Sequence, residues 1–266
     1  MKKITKGYMF DLDGTLYLED QLLPGAIEIL QYLTKEQIPF CLMTNNSSIS
    51  RKDYQKKLDA LKLPVEPSQI LTSGVATLRY LKNLNIENIF LLGTPSLENE
   101  FEDAGFNLNA DQANVEAVVL AFDKTLNYQK MCRAHEFLMN PEVLYFATHP
   151  DFVCPMKNGT IPDCGAMISL FEASTGRKPE IIGKPYATMV EMAAELLKIP
   201  VQDLMIVGDR IYTDMQMGFD AGCQTVLVLS GESTLETLEK APRKPDLVVD
   251  NVACLLEFID DRTIAT

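Results

Sequence analysis

Met9-Phe10-Asp11-Leu12-Asp13-Gly14-Thr15-Leu16 places two carboxylates, one residue apart, at the end of an apolar run. A β-strand points residues i and i+2 to the same face. A strand that persists through Asp13 would therefore aim both acids at whatever lies beyond its end. Two carboxylates that close repel unless a cation or a proton sits between them. Gly14 then permits a sharp turn that other residues resist. Taken alone, the octapeptide reads equally well as an edge strand running into an acidic turn, so the rest of the chain has to decide.

Working outward, residues 7–12 read as a strand, and Pro24 opens an amphipathic segment with Ile27, Leu30 and Leu33 at helical spacing. Residues 38–43 form a buried-type strand that ends at Thr44-Asn45-Asn46-Ser47-Ser48, a loop of small hydroxyl and amide side chains rich in hydrogen-bonding groups. Helices are expected over 50–62 and 72–82, the second with a Thr-Ser start suited to capping. Alternating strands and helices predict a parallel sheet covered by helices.

From Asn88 the alternation starts afresh. Strands are expected at 89–93, 117–122 and 143–147, and helices near 96–104, 127–139 and 166–175, with irregular chain over 155–165. Residues 83–178 thus read as a second α/β module inserted into a core formed by 1–82 and 179–266. After it, Lys184-Pro185 opens a helix whose Met189, Met192, Ala193, Leu196 and Leu197 make a core-facing stripe. Strands at 204–207, 225–229 and 246–249 alternate with helices at 213–221, 233–240 and 251–260 to complete the chain.

The 266 residues are 47% hydrophobic and 23% charged, enough for a normal core. A net charge of −13 argues against nucleic acid or an anionic membrane as partner. It leaves room for a phosphorylated small molecule at a locally positive or metal-bearing site. No apolar run approaches the ~18 residues of a membrane span, and no apolar signal segment follows the basic start, so a cytoplasmic protein is expected. Six scattered cysteines (41, 132, 154, 164, 223, 254) and two histidines make zinc binding an unfavoured reading and suggest reduced core thiols.

Four stretches put polar groups just past predicted strands or at a loop-to-helix junction: Asp11/Asp13, Thr44/Asn45, Lys184 and Asp209/Asp214. In open α/β sheets ligands bind outside the carboxyl ends of the strands. Singly, each has an ordinary explanation: a strand-end hydroxyl, a solvated lysine, a turn acid with a helix cap. His149 and His135 likewise read as surface or packing residues rather than ligands. Together the four name a chemistry. Mg²⁺ takes one or two carboxylates with waters and substrate phosphate, and a transferring phosphoryl group wants that cation, an ammonium and hydrogen-bond donors. A carboxylate can attack phosphorus, and a second acid can protonate the leaving alcohol and later activate water.

Asp11-Leu12-Asp13-Gly14-Thr15, Thr44-Asn45-Asn46, Gly183-Lys184-Pro185 and Gly208-Asp209-Arg210-Ile211-Tyr212-Thr213-Asp214 resemble the four ordered motifs of the haloacid dehalogenase-like (HAD) hydrolases. The insert resembles the type IIA cap, and the whole chain looks like a NagD-like phosphatase, a group that includes p-nitrophenyl phosphatases and pyridoxal phosphatase. The resemblance implies a Rossmann-like core with an α/β cap, and a Mg²⁺-dependent phosphomonoesterase acting on a small-molecule phosphate ester. It implies Asp11 as nucleophile and Asp13 as general acid/base. Thr44 and the Asn45 backbone would hold the phosphoryl oxygens, and Lys184 would neutralise their charge. Mg²⁺ would take the Asp11 carboxylate, the Asp13 carbonyl and Asp209, with Asp214 orienting a metal water or Lys184. Arg210, Ile211, Tyr212 and Thr213 would border the substrate, and a cap-mediated homodimer is implied. Two departures fall in the cap: relatives usually carry Asn where His149 stands and Pro-Gly where Asp163-Cys164 stands. With Asp151, these cap residues are expected to touch the leaving group.

Rival chemistries on related scaffolds are distinguishable. A dehalogenase attacks carbon and needs neither metal nor second acid. A phosphomutase must retain the phosphoryl group, and a receiver module is about half this length. A catalytically idle phosphate binder would not need the full set of acids.

Overall fold

The computed structural model describes residues 5–109, 113–156 and 159–264. The chain opens with β1 (Gly7–Asp11), the short antiparallel pair β2 (Tyr17–Leu18) and β3 (Gln21–Leu22), and α1 (Ala26–Lys35). Next come β4 (Phe40–Thr44), α2 (Arg51–Ala60), β5 (Ile70–Thr72) and α3 (Ser73–Asn83). The inserted stretch holds β6 (Ile89–Leu92), α4 (Pro95–Asp103), β7 (Ala117–Leu120), α5 (Tyr128–Leu138) and β8 (Leu144–Ala147). It continues through β9 (Val153–Met156), β10 (Gly159–Pro162), α6 (Cys164–Thr175) and β11 (Glu180–Ile181). The chain closes with α7 (Thr188–Leu197), β12 (Leu204–Gly208), α8 (Gln216–Ala221), β13 (Gln224–Val228), α9 (Leu235–Lys240), β14 (Leu247–Val249) and α10 (Val252–Ile264).

Two compact units result. The first comprises the chain up to Thr44, Gln55–Leu71, and Pro185 onward; the second comprises Asn45–Tyr54 and Thr72–Lys184. The first is built on a six-stranded sheet in the order β14-β13-β12-β1-β4-β5. β1 runs parallel to both β12 and β4, with Met9 opposite Ile206 and Cys41, and Asp11 opposite Met43. Every residue of β1, β4 and β12 is buried, which is why these strands read as continuous apolar runs rather than alternating ones. Because β4 and β12 flank β1, the strand order reverses at β1, the place where open α/β sheets leave a crevice at their carboxyl ends.

The second unit has its own four-stranded sheet, β11-β8-β7-β6, whose pairs are all parallel. Its core joins Leu92, Val118, Leu120 and Ala147 from the sheet to Phe137, Leu138 and Phe171 from the helices. Fully burying each large apolar side chain contributes roughly 1.5–3 kcal/mol. Thr72 caps α3, accepting from the Val75 N–H at 3.0 Å, and Asp163 caps α6.

Several local features differ from the sequence expectation. β1 stops at Asp11, so Asp13 lies past the strand, where it forms an isolated parallel bridge with Tyr17. The turn closes where the Gly14 N–H donates to the Tyr17 carbonyl at 2.8 Å. β5 sits within what reads as a link and helix start, because three buried apolar and hydroxyl residues carry no usable period. Among the described residues of 155–165, regular structure appears: β9 and β10 pair antiparallel, with Thr160 opposite Pro155, and α6 begins at Cys164. Proline within an exposed strand disguised it. Of the helix expected over 213–221, Gln216–Ala221 is α-helical, and Ile211–Met215 before it form a π-helical turn. Of the six free cysteines only 41, 164 and 223 are buried, while Cys132 lies exposed on α5. Among the described residues, no helix is long and apolar enough to cross a membrane.

Candidate active site

The first unit concentrates acids at the carboxyl ends of β1 and β12. Asp11 ends β1, Asp209 follows β12, and Asp214 sits on the π turn that comes next. Carboxylate oxygens of these three lie within 4.8 Å of one another. Asp209 and Asp214 are buried at 2% and 1% exposure, and Asp11 at 8%. Three carboxylates this close, away from bulk water, are mutually destabilising unless positive charge offsets them. Part of that charge is Arg210. Burial alone would lower the pKa of its guanidinium, but the charges of Asp11, Asp209, Tyr212 and Glu232 outweigh burial and raise it. Its Nε lies 3.0 Å from a Glu232 carboxylate oxygen.

Two glycines make room for this cluster. A Cβ on Gly231 would fall 2.0 Å from Asp209 Oδ2, and one on Gly14, whose φ is +87°, would fall 2.4 Å from the same atom. The Glu232 N–H donates to that oxygen at 2.7 Å, and the Ser230 hydroxyl donates to the Gly14 carbonyl at 2.8 Å. Asp209 is thus held between two loops that only glycine lets approach so closely. Gly208 yields similarly, since a Cβ there would stand 2.5 Å from Asp214 Cγ. The Arg210 N–H donates to Asp214 Oδ2 at 3.2 Å, and the π turn turns Asp214 back toward the strand end. Such turns recur at functional sites because they re-aim a side chain. Thr213 on this turn is buried, Ile211 partly so, and Tyr212 is 57% exposed.

Asp13 does not join the carboxylate cluster. Its side chain is partly exposed, and the buried Tyr17 hydroxyl lies 3.5 Å from its Oδ2. Thr44 ends β4, next to β1 in the sheet, and is 4% exposed.

The second unit holds the other two expected residues, Asn45 and Lys184, and brings them together. The Asn45 amide brackets the Lys184 backbone: its Oδ1 accepts the Lys184 N–H at 2.8 Å, and its Nδ2 donates to the Lys184 carbonyl at 3.0 Å. Nδ2 also donates to Asp151 Oδ2 at 3.0 Å. Gly183 is required here, because a Cβ would stand 2.4 Å from the Thr148 carbonyl oxygen and 2.7 Å from Asn45 Oδ1. Lys184 itself is 3% exposed. The Asn45–Ser50 loop is fastened to this unit at each step. The Ser73 hydroxyl donates to the Asn45 carbonyl, Ser47 Oγ lies 2.9 Å from Thr148 Oγ1, and the Thr94 hydroxyl donates to the Ser48 carbonyl at 2.8 Å.

The cap residues expected at a leaving group are arranged otherwise. His149 and Cys164 are both 0% exposed, which removes them as substrate-facing groups. Burial pushes the Cys164 thiol up to about 12, which makes it unreactive. Of this set only Asp151 keeps part of its surface exposed. Residues that sequence reasoning passed over include Gly231 and Glu232. A Ser-Gly step at 230–231, just past the strand-like run 225–229, was the available signal.

The donor set suits a hard cation. Ligand oxygens around one Mg²⁺ at about 2.1 Å lie about 3–4 Å apart, and three clustered carboxylates with no nitrogen or sulfur among them match that preference.

Comparison with known proteins agrees with this architecture. A family model described as haloacid dehalogenase-like hydrolase matches residues 8–107, and one described as HAD-hydrolase-like matches 181–255. The acid sugar phosphatase of Staphylococcus haemolyticus is 32% identical over 90% of this chain and 91% of its own. The 4-nitrophenylphosphatase of Thermotoga maritima superposes with a TM-score of 0.88 at 43% identity, covering 93% of this chain and 94% of that one. NagD of E. coli K-12 does so at 0.87 and 30% identity, covering 94% and 98%. The chain therefore belongs to the haloacid dehalogenase-like hydrolases, in their NagD-like branch.

Proposed function

We propose that this HAD-type phosphatase hydrolyses small phosphomonoesters with Mg²⁺, through an aspartyl-phosphate on Asp11. The convergence of Asp11, Asp209 and Asp214 at the sheet's switch point, beside a guanidinium held charged, carries the reading. Asp11, Asp209, the Asp13 carbonyl and Asp214 would hold the ion. When bound, Mg²⁺ neutralises charge on the phosphoryl oxygens and lets an anionic nucleophile approach an anionic substrate.

In this mechanism an Asp11 oxygen attacks phosphorus and the bond to the leaving oxygen breaks, while the Asp13 carboxyl gives that oxygen a proton. Asp13 then takes a proton from water as the water attacks phosphorus, which frees Asp11 and inorganic phosphate. That division of labour suits Asp13's place outside the carboxylate cluster. The Thr44 hydroxyl, the Asn45 N–H and the Lys184 ammonium serve the phosphoryl oxygens, and residues 210–213 border the substrate. Residues 1–82 and 179–266 act as the catalytic core and 83–178 as the cap. Because relatives are named for sugar phosphate and 4-nitrophenyl phosphate, these head the candidate substrates. A cytoplasmic homodimer completes the reading.

The test is phosphate release from a panel of sugar phosphates, nucleotides and 4-nitrophenyl phosphate with Mg²⁺. At least one ester is expected to turn over with kcat/KM of about 10⁴ M⁻¹s⁻¹ or more. No release across the panel, or transfer to a second sugar phosphate in place of release, would overturn it.

The Asn45 bracket yields a second expectation. Asn45→Asp keeps the acceptor for the Lys184 N–H but loses the Nδ2 donor, and sets a carboxylate against the Lys184 carbonyl and Asp151. An outer group that positions a charged one typically matters by about 10–100-fold, and kcat/KM should fall in that range. Unchanged kinetics would show that Lys184 is held by other means.

A further inference from the structure

Across the second unit runs a buried chain of polar side chains. The Phe122 N–H donates to Ser47 Oγ at 2.9 Å, Ser47 Oγ lies 2.9 Å from Thr148 Oγ1, and Thr148 Oγ1 lies 2.9 Å from His149 Nδ1. His149 Nε2 lies 2.9 Å from Asp163 Oδ1, which also accepts the Cys164 N–H at 2.6 Å. Ser47, Thr148 and His149 are 0% exposed and Asp163 is 4% exposed. The parts are those of an acyl-transfer relay, but a hydroxyl sealed this completely meets no substrate.

With Asp163 as a carboxylate and the His149 ring neutral, the chain takes one proton order; an imidazolium would reverse the Thr148 hydroxyl. An ionised carboxylate only accepts, so the Nε2 facing Asp163 carries a hydrogen. The neutral ring's Nδ1 is then an acceptor, and the Thr148 hydroxyl donates to it. Thr148 Oγ1 accepts in turn from Ser47, and Ser47 from Phe122. In that order the His149–Asp163 contact sets the direction of each proton up to Ser47. Ser47 lies two residues from Asn45, whose amide brackets Lys184. Thr148 also holds that segment from the other side, because its carbonyl accepts the Gly183 N–H at 2.8 Å.

We propose that His149 and Asp163 form a positioning pair, which fixes the proton order of the Ser47–Thr148 contact and so the placement of Asn45 and Lys184. The proposal rests on the phosphatase reading for its kinetic consequence, but not for its spectroscopic one. Nitrogen-15 NMR of the imidazoles reads the tautomer directly, and His149→Asn assigns which of the two histidine signals is lost. The expected wild-type ring is neutral with hydrogen on Nε2. Asp163→Asn, which can turn an amide N–H toward Nε2, is expected to switch hydrogen to Nδ1 and reverse the Thr148 hydroxyl. An imidazolium, or a tautomer indifferent to Asp163→Asn, would overturn the proton order.

Kinetically, Asp163→Asn and His149→Asn should each lower kcat/KM by about 10-fold, and the double variant should be no worse than the poorer single one. Adding Asp163→Asn to Asn45→Ala should cost nothing further. Additive losses, or melting temperatures that fall while kcat/KM holds, would reduce the pair to a core filler. A wild type that releases no phosphate would remove the phosphatase reading while leaving the tautomer result standing.

Discussion

Asp11→Asn is expected to lower kcat by about 10³-fold or more, with the fold intact. The substitution is nearly isosteric, and the side chain stands at the end of a strand whose backbone bonds to β12 and β4 do not involve it. What changes is charge. An amide oxygen is a poor nucleophile toward phosphorus and cannot form the acyl phosphate, so no geometric rescue exists. Removing one of three clustered carboxylates relieves repulsion among those that remain, and Arg210 keeps Asp209 and Glu232 as counter-charges. The melting temperature should therefore hold or rise in the absence of metal. Kinetics by phosphate release, with mass spectrometry of quenched wild-type enzyme to find phosphate on Asp11, provides the check. Turnover within a few-fold of wild type would end the covalent mechanism.

What the chain shows in sequence and what it hides divide along physical lines. Parallel strands buried on both faces announce themselves as apolar runs, which is why β1, β4, β7, β12 and β13 are legible, and with them the edge where polar residues collect. The four site stretches are legible for the same reason, since each follows such a run or opens a helix. Asp13 is where local pattern misleads. The i, i+2 spacing suggests a shared strand face, but the strand ends at Asp11 and Asp13 bridges Tyr17 beyond it. Long-range features left no local trace. Nothing near Asn45 indicates that its amide will clasp a backbone 139 residues away. Likewise, nothing in Gly231 shows that it makes way for Asp209, because a glycine's close approach is a property of two segments and not of one. His149 was open to either reading until its burial was known.

Asp209→Ala and removal of metal are expected to converge on the same phenotype, and Gly231→Ala to approach it without removing a single oxygen. Excess EDTA should abolish phosphate release and Mg²⁺ should restore it. Asp209→Ala takes away one of three carboxylates, and should fall by about 10²–10³-fold at any practical Mg²⁺ concentration. Gly231→Ala is the sharper variant. Its Cβ would stand 2.0 Å from Asp209 Oδ2 and 2.5 Å from Cγ, so the methyl and the carboxylate cannot both keep their places. The two nearest obstructing atoms move when the carboxylate swings away, but Asp209 Cβ, at 2.7 Å, does not, so the loop must also shift slightly. That movement breaks the bond from the Glu232 N–H and draws an oxygen out of the cluster. An outer position of this kind is worth about 10–100-fold in metal affinity, so the Mg²⁺ concentration giving half-maximal activity should rise by that factor. The metal-free melting temperature should change far less than the Mg²⁺-induced rise in it. Gly14→Ala meets the same carboxylate from the opposite side but also strains a backbone at φ +87°, so it should lose stability as well as metal. An unchanged Mg²⁺ titration in Gly231→Ala would mean that Asp209 holds no metal; activity that survives EDTA would mean the same of the whole cluster.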